Sequence, residues 1–342
     1  MNILLCHKDI SPGESAGGFS NAYCNLGEQY ANMGHQVVFL TRRKELSPYH
    51  NENIELIKGD SNDIDFLNML IKEKKIDIIE TPSWNHELYQ YSGSQKTAPM
   101  VTRVDFPARY FQQSTEVIAK EESMVKNSEG LIVISDWVRR EWGAITGKNI
   151  SIIPYGVSKM NIAGHKREEN VVWVGKATWM KGIDFLPFIA AELKSKGFNL
   201  QLIITPLANQ HQDNDSLNFL KENDVTVYSN LSTDEYNQLM QKATYILSTA
   251  RKEGFCIAVL EGMANGLIPV VPDWVGGTLD FVNSDNGIVY SSISEISELL
   301  EQCQPNEKYS KVIENASRLS WRNSAKQSLQ VYEDTIKNWA GR

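Results

Sequence analysis

The chain has 342 residues, of which 42% are hydrophobic and 22% charged, and its formal net charge at pH 7 is -8. One hydrophobic core rarely serves a chain of this length, so we expect two domains. The ordinary share of apolar residues gives no support for extensive disorder, and the negative charge disfavours nucleic acid as a partner.

The start of the chain and its cysteines favour a cytoplasmic protein. Only a short apolar run follows Met1 before Asp9, so this segment is predicted to be a strand and not a signal peptide. No segment approaches the ~18 consecutive apolar residues of a membrane span. The four cysteines lack the spacing of a disulfide framework or a zinc site, which favours reduced thiols. Peripheral contact with a membrane surface stays open.

Short apolar runs alternate with helix-like stretches along the first half of the chain. The predicted strands there are NILLC, HQVVFLT, IDIIE, APMVTRV and GLIVIS, and the helix-like NAYCNLGEQYANMG follows the first of them. The alternation restarts at NVVWVG and continues through FNLQLIIT, VTVYS, YILST and LIPVVP. A repeated order of strand and helix is typical of a parallel sheet covered on both faces. The sequence therefore predicts an α/β protein with two doubly wound, Rossmann-like domains.

The boundary between the two domains is predicted at about 158–168. Pro154, Gly156 and the polar run that follows them interrupt both periodicities, as a linker would. The C-terminal stretch has helical spacing and is predicted to pack back on the first domain. The first domain, the second domain and this helix are expected over residues 1–160, 161–320 and about 321–342.

The segment EGFCIAVLEGMANG, which begins at Glu253, combines a loop, a helix start and two carboxylates. The amide groups at such a helix N-terminus suit a diphosphate. The carboxylates of Glu253 and Glu261 can each accept two hydrogen bonds, so neighbouring sugar or ribose hydroxyls are natural partners. The alternative is an ordinary amphipathic helix whose glutamates are solvated.

Two further loops carry features that suit phosphate. In VGKATWMKG, Lys176 and Lys181 follow a predicted strand and can converge on a pyrophosphate to neutralise its charge, or they can be solvated. Near the N-terminus, Gly17 and Gly18 would let the backbone approach a ligand closely, or form a tight turn. This loop lacks the GxGxxG pattern, so a nicotinamide-dependent oxidoreductase is disfavoured.

In this order, these segments resemble the retaining glycosyltransferases of family 4, which belong to the glycosyl transferases group 1. The likeness rests mainly on the two glutamates eight positions apart and on the glycine loop that ends in Lys181-Gly182, and it covers nearly the whole chain. Lys176 stands where the family usually has arginine, which keeps the charge but loses the two-pronged guanidinium. The resemblance implies the GT-B fold, in which two Rossmann-like domains face a cleft.

The resemblance also implies the site residues. It assigns the donor sugar to Glu253 and the nucleotide ribose to Glu261. The implied donor-binding set is Gly17, Gly18, Gly175, Lys176, Lys181, Glu253, Gly254, Phe255, Cys256, Ile257 and Glu261. The implied catalytic residues are Glu253, Lys181, Lys176 and Asp105.

One departure from the family lies in the first domain. Family members often carry a histidine where this chain has Asp105, in Arg103-Val104-Asp105-Phe106-Pro107. A carboxylate there can bind a sugar hydroxyl, take the acceptor's proton, or cap the following helix. The residues expected on the acceptor side are His86, Arg103, Asp105 and Arg109.

No metal or other cofactor is expected. The six histidines are scattered without the spacing of a metal site. The two DxD strings, at Asp63 with Asp65 and at Asp213 with Asp215, lie in polar stretches that are predicted to be loops or helix starts.

The resemblance implies transfer of a hexose-type sugar from a nucleotide diphosphate-sugar, with a UDP-sugar favoured and the anomeric configuration retained. The acceptor would be a glycan, a lipid-linked molecule or a small molecule, in bacterial polysaccharide or glycoconjugate synthesis. Two alternatives keep the same fold. They are a catalytically weak sugar-nucleotide-binding subunit, motivated by Asp105, and a sugar-nucleotide epimerase.

Overall fold

The computed structural model describes residues 1–10, 18–43, 51–111, 113–157, 169–205 and 212–341. The chain forms two compact units, one of Met1–Gly156 with Trp321–Arg342 and one of Val157–Ser320. The whole of the predicted linker at 158–168 lies outside the described residues, as does Gly17.

The first unit is a seven-stranded sheet with helices between its strands. Its strands are β1 (Asn2–Cys6), β2 (Gln36–Thr41), β3 (Ile54–Lys58), β4 (Ile78–Pro82), β5 (Met100–Val104), β6 (Gly130–Val133) and β7 (Ser151–Ile152). Its helices are α1 (Gly18–Asn32), α2 (Ile64–Glu73), α3 (Tyr89–Ser92), α4 (Thr115–Asn127), α5 (Asp136–Thr146) and the C-terminal α13 (Trp321–Ala340).

The second unit is a six-stranded sheet of the same kind. Its strands are β8 (Asn170–Gly175), β9 (Asn199–Ile204), β10 (Thr226–Ser229), β11 (Tyr245–Leu247), β12 (Ile268–Pro272) and β13 (Ile288–Tyr290). Its helices are α6 (Leu186–Ser195), α7 (Asn214–Glu222), α8 (Thr233–Lys242), α9 (Ile257–Ala264), α10 (Gly276–Leu279), α11 (Ile296–Gln302) and α12 (Pro305–Arg318).

Every strand pair in both sheets is parallel. The strand order is β3-β2-β1-β4-β5-β6-β7 in the first sheet and β10-β9-β8-β11-β12-β13 in the second. In each sheet the order reverses beside the first strand, between β1 and β4 and between β8 and β11. Ligands of doubly wound sheets bind outside the carboxyl ends of the strands at this reversal. The predicted pair of doubly wound domains is confirmed.

The central strands are buried over their whole length because helices cover both faces of each sheet. In β4 and β5, for example, every residue is buried. The sequence patterns did not single out β3, β7 and β13. β3 is interrupted by Glu55 and Lys58, and the other two contain only two and three residues, too few to show a period.

Helix α13 belongs to the first unit and packs its apolar stripe there. Its buried residues recur at helical spacing and include Trp321, Ala325, Leu329 and Tyr332. The hydroxyl groups of Tyr332 and Tyr30 of α1 lie 3.0 Å apart. The last segment of the chain therefore completes the core of the first unit.

Both DxD strings are helix starts. The carboxylate of Asp63 accepts a hydrogen bond from the backbone N–H of Phe66, and that of Asp213 accepts one from the backbone N–H of Ser216, as N-cap residues do. Within the described residues, no three His, Cys, Asp or Glu side chains are grouped closely enough to hold a metal ion. No helix in the same part of the chain combines the length and apolar character of a membrane span.

Candidate active site

The predicted donor residues of the second unit lie at the carboxyl ends of β8 and β11, where the strand order reverses. The loop after β8 contains Lys176 and Lys181, and the loop after β11 contains Glu253. Since these two strands are neighbours, the sheet brings the loops together. The site therefore occupies the ligand-binding position of a doubly wound sheet.

The loop after β8 is built from two short 3₁₀ turns, Trp179–Lys181 and Ile183–Phe185. Gly182 separates them with a left-handed φ of 71°, which glycine adopts at little cost. A Cβ atom at this position would lie 2.0 Å from the carbonyl oxygen of Thr249. Gly182 therefore allows the lysine loop to pack directly on the chain that leaves β11.

Lys181 and Glu253 form an ion pair. Desolvation alone would lower the pKa of Lys181, but the facing carboxylate of Glu253 outweighs it, and the pKa is raised. The charges of Lys181 and Glu253 also act on the ammonium group of Lys176. Desolvation lowers the pKa of Lys176, and the like charge of Lys181 lowers it further. The site thus holds one lysine that is firmly charged and one that is more readily neutralised.

Helix α9 begins directly after the loop of Glu253. Its N-cap residue, Cys256, has a left-handed φ of 64°, which turns the chain sharply before the helix. The backbone of Gly254 is crossed closely by α10, because a Cβ atom at Gly277 would lie 1.8 Å from the carbonyl oxygen of Gly254. This packing fixes the amide groups at the positive end of α9, where an anion is stabilised.

Glu261 lies one turn inside α9, and its carboxylate accepts a hydrogen bond of 2.8 Å from the hydroxyl of Tyr236 in α8. Desolvation raises the pKa of Glu261, and the hydroxyl of Tyr236 opposes that rise. The other acceptor positions of the carboxylate suit a pair of vicinal hydroxyl groups.

The remaining residues predicted to bind the donor shape the backbone of the site more than they offer side chains to a ligand. Phe255 is buried against Phe281, with ring centroids 4.8 Å apart, so its side chain anchors the loop in the core. Gly175 ends β8, and a Cβ atom there would approach the ring of Trp173 to 3.0 Å. Ile257 is the first residue of α9, and Gly18 is the first residue of α1.

On the first unit, Asp105 follows the carboxyl end of β5. It is half-buried, and its negative charge contributes to the raised pKa of the buried Tyr155, after the larger effect of desolvation. The next 3₁₀ turn, Ala108–Tyr110, has Pro107 at its N-cap position. Asp105 is therefore not the cap of that turn.

The other residues expected on the acceptor side have different environments. Arg103 has no exposed surface and is paired with Glu80 of the neighbouring strand, with 2.9 Å between Nε and Oε1. Arg109 is half-buried and pairs with Glu141 at 2.8 Å. His86 lies just beyond β4 in a left-handed conformation, with its pKa lowered by desolvation. Of the four residues expected on the acceptor side, Asp105, Arg109 and His86 are partly exposed, whereas Arg103 is not.

Sequence patterns missed two residues of the site in the second unit. Tyr236 bonds to Glu261, and Arg251 bonds to the loop of Lys181. Arg251 had a usable signal, since it precedes Glu253 by two positions in the loop that leaves β11. Tyr236 lies in a different helix and carries no signal of its own.

The second unit matches a known family. Residues 159–319 match the family model described as Glycosyl transferases group 1. An uncharacterized glycosyltransferase of Methanocaldococcus jannaschii is 24% identical over 219 residues, which are 61% of this chain and 60% of that protein. The GDP-Man:Man(3)GlcNAc(2)-PP-Dol alpha-1,2-mannosyltransferase of Dictyostelium discoideum is 28% identical over 157 residues, which are 42% of this chain and 31% of that protein. The chain thus spans less than two thirds of these relatives.

Solved structures resemble the chain over its whole length. The sucrose-phosphate synthase of Thermosynechococcus elongatus superposes with a TM-score of 0.81 at 16% identity, covering 98% of this chain and 99% of that chain. HepE of Anabaena, in complex with UDP-glucose, superposes with a TM-score of 0.75 at 13% identity, covering 100% of both chains. The predicted GT-B fold is thereby confirmed, and nearly the whole of the second unit matches the glycosyl transferases group 1 model. Fold and family together support the predicted class, a glycosyltransferase enzyme.

Proposed function

We propose that the protein is a retaining glycosyltransferase that moves a hexose-type sugar from a UDP-sugar to a glycan, lipid-linked or small-molecule acceptor. The observation that carries this proposal is the pairing of Lys181 with Glu253 beside Lys176 and the N-terminus of α9. That arrangement supplies cations and amide groups for a diphosphate, and a carboxylate for the sugar. We place the reaction in the cytoplasm, in polysaccharide or glycoconjugate synthesis, with contact at a membrane surface for a lipid-linked acceptor.

The ammonium group of Lys181 and the carboxylate of Glu253 pair with each other. A diphosphate competes with Glu253 for the ammonium group of Lys181. When Lys181 turns to the diphosphate, the carboxylate of Glu253 is free to accept hydrogen bonds from sugar hydroxyls. Lys176 adds a second cation, and Glu261, oriented by Tyr236, accepts from the ribose hydroxyls. The same exchange of partners couples binding of the phosphate to binding of the sugar.

The transfer step needs no covalent nucleophile and no metal ion. The bond between the anomeric carbon and the diphosphate oxygen breaks, and a bond from the same carbon to the acceptor oxygen forms on the same face. The acceptor's proton passes to the departing phosphate oxygen. Lys176, Lys181 and the amides of α9 stabilise the negative charge that develops on the leaving nucleoside diphosphate. Residues of the first unit, including Asp105, His86 and Arg109, would hold the acceptor.

Uridine is the proposed base because the structurally similar HepE of Anabaena is bound to UDP-glucose. Guanosine is the first competitor, because the name of the Dictyostelium discoideum relative specifies GDP-Man. Both nucleotides share the diphosphate and the ribose, so the residues discussed above do not distinguish them.

Asp105 supports a second candidate function, that of a sugar-nucleotide-binding subunit with weak catalysis. A carboxylate only accepts hydrogen bonds, whereas the histidine usual at this position can also donate one. If that donor is needed for turnover, the protein would bind the nucleotide sugar and transfer it slowly. Replacing Asp105 by His should then raise the rate of transfer or of donor hydrolysis.

Calorimetric titration with UDP, GDP and ADP tests the proposed donor site. We expect one nucleotide to bind, and both Glu261→Ala and Lys181→Ala to weaken it by about 1–3 kcal/mol, the cost of hydrogen bonds to charged groups. Glu298→Ala, at an exposed position of α11, is the matched control and should change nothing. Failure of all three nucleotides to bind would refute the donor site.

Turnover separates the rival functions. A transferase releases free UDP from the matching UDP-sugar, and the product retains the anomeric configuration. Interconversion of the UDP-sugar without release of UDP would identify an epimerase. Tight binding without either reaction would identify the binding subunit.

A further inference from the structure

The chain that leaves β11 contacts the lysine loop through every second residue. Thr249 donates a hydrogen bond from its hydroxyl to the carbonyl oxygen of Lys181, at 2.9 Å. Glu253 pairs with the ammonium group of Lys181. Arg251 lies midway between these two positions in the chain. It faces the loop that carries Lys181, because its Nη1 donates to the carbonyl oxygen of Trp179.

Arg251 bonds to both halves of that loop. Its Nη1 donates to the carbonyl oxygen of Trp179 at 2.6 Å, and its backbone N–H donates to the carbonyl oxygen of Met180 at 2.9 Å. Beyond Gly182, its Nη1 and Nη2 donate to the two carboxylate oxygens of Asp184, each at 2.7 Å. One side chain thus spans the two 3₁₀ turns that flank Gly182.

Two aromatic rings hold the same guanidinium group. Its carbon lies 4.3 Å from the ring centroid of Trp179 and 4.0 Å from that of Phe185, within the range of cation–π attraction. The side chain of Arg251 is 19% exposed, although Trp179 itself is 57% exposed. Only the planar fork of arginine can bind a carboxylate with two parallel bonds while it stacks on rings.

We propose that Arg251 is a positioning residue, which holds residues 179–184 so that Lys181 faces Glu253 before any donor arrives. The proposal rests on the proposed function in that Lys181 and Glu253 bind the donor. Lys181 lies in 3₁₀ turns, which have poorer hydrogen-bond geometry than an α-helix and little strength of their own. Arg251 keeps this loop from sampling arrangements in which the ammonium group points elsewhere, so less ordering is needed on binding.

The first test needs no ligand. Arg251→Met removes the fork but keeps an unbranched side chain of similar length, and Arg251→Lys keeps the charge. Amide hydrogen exchange is measured at Lys181, Gly182 and Phe185, whose N–H groups are bonded within the loop. We expect exchange there to accelerate roughly tenfold or more in Arg251→Met, corresponding to easier local opening. Exchange in β9 should stay unchanged. In Arg251→Lys, the exchange rates in the loop should lie between those of the wild-type protein and those of Arg251→Met.

The second test measures nucleotide affinity in two backgrounds. Arg251→Met should weaken UDP about tenfold in the wild-type background. In a Lys181→Met background it should weaken UDP no further, because the group that Arg251 positions is already absent. Arg318→Met is the matched control, since Arg318 forms an exposed pair with Glu314 in α12, and it should change neither exchange nor affinity.

The outcomes are distinct. An equal loss of affinity in both backgrounds, or accelerated exchange in β9 as well, would indicate general destabilisation and overturn the positioning role. If no nucleotide binds the wild-type protein, the proposed function fails. The exchange measurement then still decides whether Arg251 positions the loop of Lys181. Unchanged exchange at Lys181, Gly182 and Phe185 in Arg251→Met would overturn the positioning role by itself.

Discussion

The guanidinium group of Arg103 in β5 and the carboxylate of Glu80 in β4 form a doubly hydrogen-bonded ion pair with no exposed surface. The Nε–Oε1 and Nη2–Oε2 distances are 2.9 and 3.1 Å. Two residues of α13 complete the network, because Nη2 of Arg103 also donates to the hydroxyl of Ser328 and the hydroxyl of Tyr332 donates to Glu80. Two strands and the C-terminal helix are thereby joined by one buried charge pair.

Replacing Arg103 by Met should destabilise the first unit by about 3–5 kcal/mol, because Glu80 would remain buried without its partner. Denaturation with urea, followed through the tryptophan signal, measures the change. Arg139→Met is the control, because Arg139 forms an exposed pair with Asp136 that is worth about 0–1 kcal/mol. The double variant Arg103→Met with Glu80→Leu should recover part of the loss. An equally small effect for Arg103→Met and Arg139→Met would contradict the role of the pair.

Replacing Tyr236 by Phe should weaken UDP binding by about 1 kcal/mol. The reason is that the Glu261 carboxylate would lose the hydroxyl that orients it, and in our proposal this carboxylate binds the ribose. Calorimetry at constant pH measures the change, and Tyr228→Phe, in β10, is the matched control. The interpretation fails if Tyr236→Phe binds UDP as well as the wild-type protein does.

Replacing Gly277 by Ala should disturb the loop of Glu253, since the added methyl group would lie 1.8 Å from the carbonyl oxygen of Gly254. The backbone must move, which costs about 1–3 kcal/mol of stability, and we expect the displaced loop to bind UDP roughly tenfold more weakly. Gly143→Ala in α5 is the control, because a Cβ atom there meets nothing within 4 Å. Equal UDP affinity in the two variants would show that the α10 contact does not fix the loop.

The pH dependence of UDP binding should report the charge of Lys176. Its pKa lies below the ordinary value of 10.5, because desolvation and the charge of Lys181 both lower it. Bound diphosphate raises that pKa again, so binding is strongest below the pKa of the free protein and weakens as the pH rises through it. Calorimetry from about pH 7 to about pH 10 follows the titration.

Replacing Lys181 by Met tests whether Lys176 is the group that titrates. It removes a like charge and leaves the Glu253 carboxylate unpaired beside Lys176. Both changes raise the pKa of Lys176, so the alkaline loss of affinity should move to higher pH while affinity at neutral pH falls. Lys196→Met, at an exposed pair with Glu301, is the control. An alkaline limb that stays in place would assign the titration to another group.

The sequence was informative where the candidate site residues directly follow the ends of strands. Lys181 and Glu253 are 72 positions apart, yet each follows an apolar run, and parallel strands deliver their carboxyl ends to one edge of the sheet. Their neighbourhood could therefore be predicted from the motifs alone. The fold class followed from the same alternation of strands and helices.

Contacts that depend on which face a residue occupies were not predictable. Arg103 was expected on the acceptor side, but β5 pairs with β4 so that Pro82 is opposite Arg103, and Glu80 lies two residues away on the same face. Nothing in either strand alone indicates that two charges meet there. Tyr236 was missed for a similar reason, because its partner Glu261 is in another helix, and the register between two helices leaves no pattern in the sequence.

The return of α13 to the first unit has a consequence for how the protein is made. During synthesis the residues of β1 to β7 emerge before the second unit, and the whole of the second unit follows before Ser328 and Tyr332 appear. Until then Arg103 and Glu80 lack the hydroxyl groups that complete their network, and α1 lacks the helix that covers it. The first unit is therefore completed only after the second unit has been made, and removal of α13 would damage the first unit as well as shorten the chain.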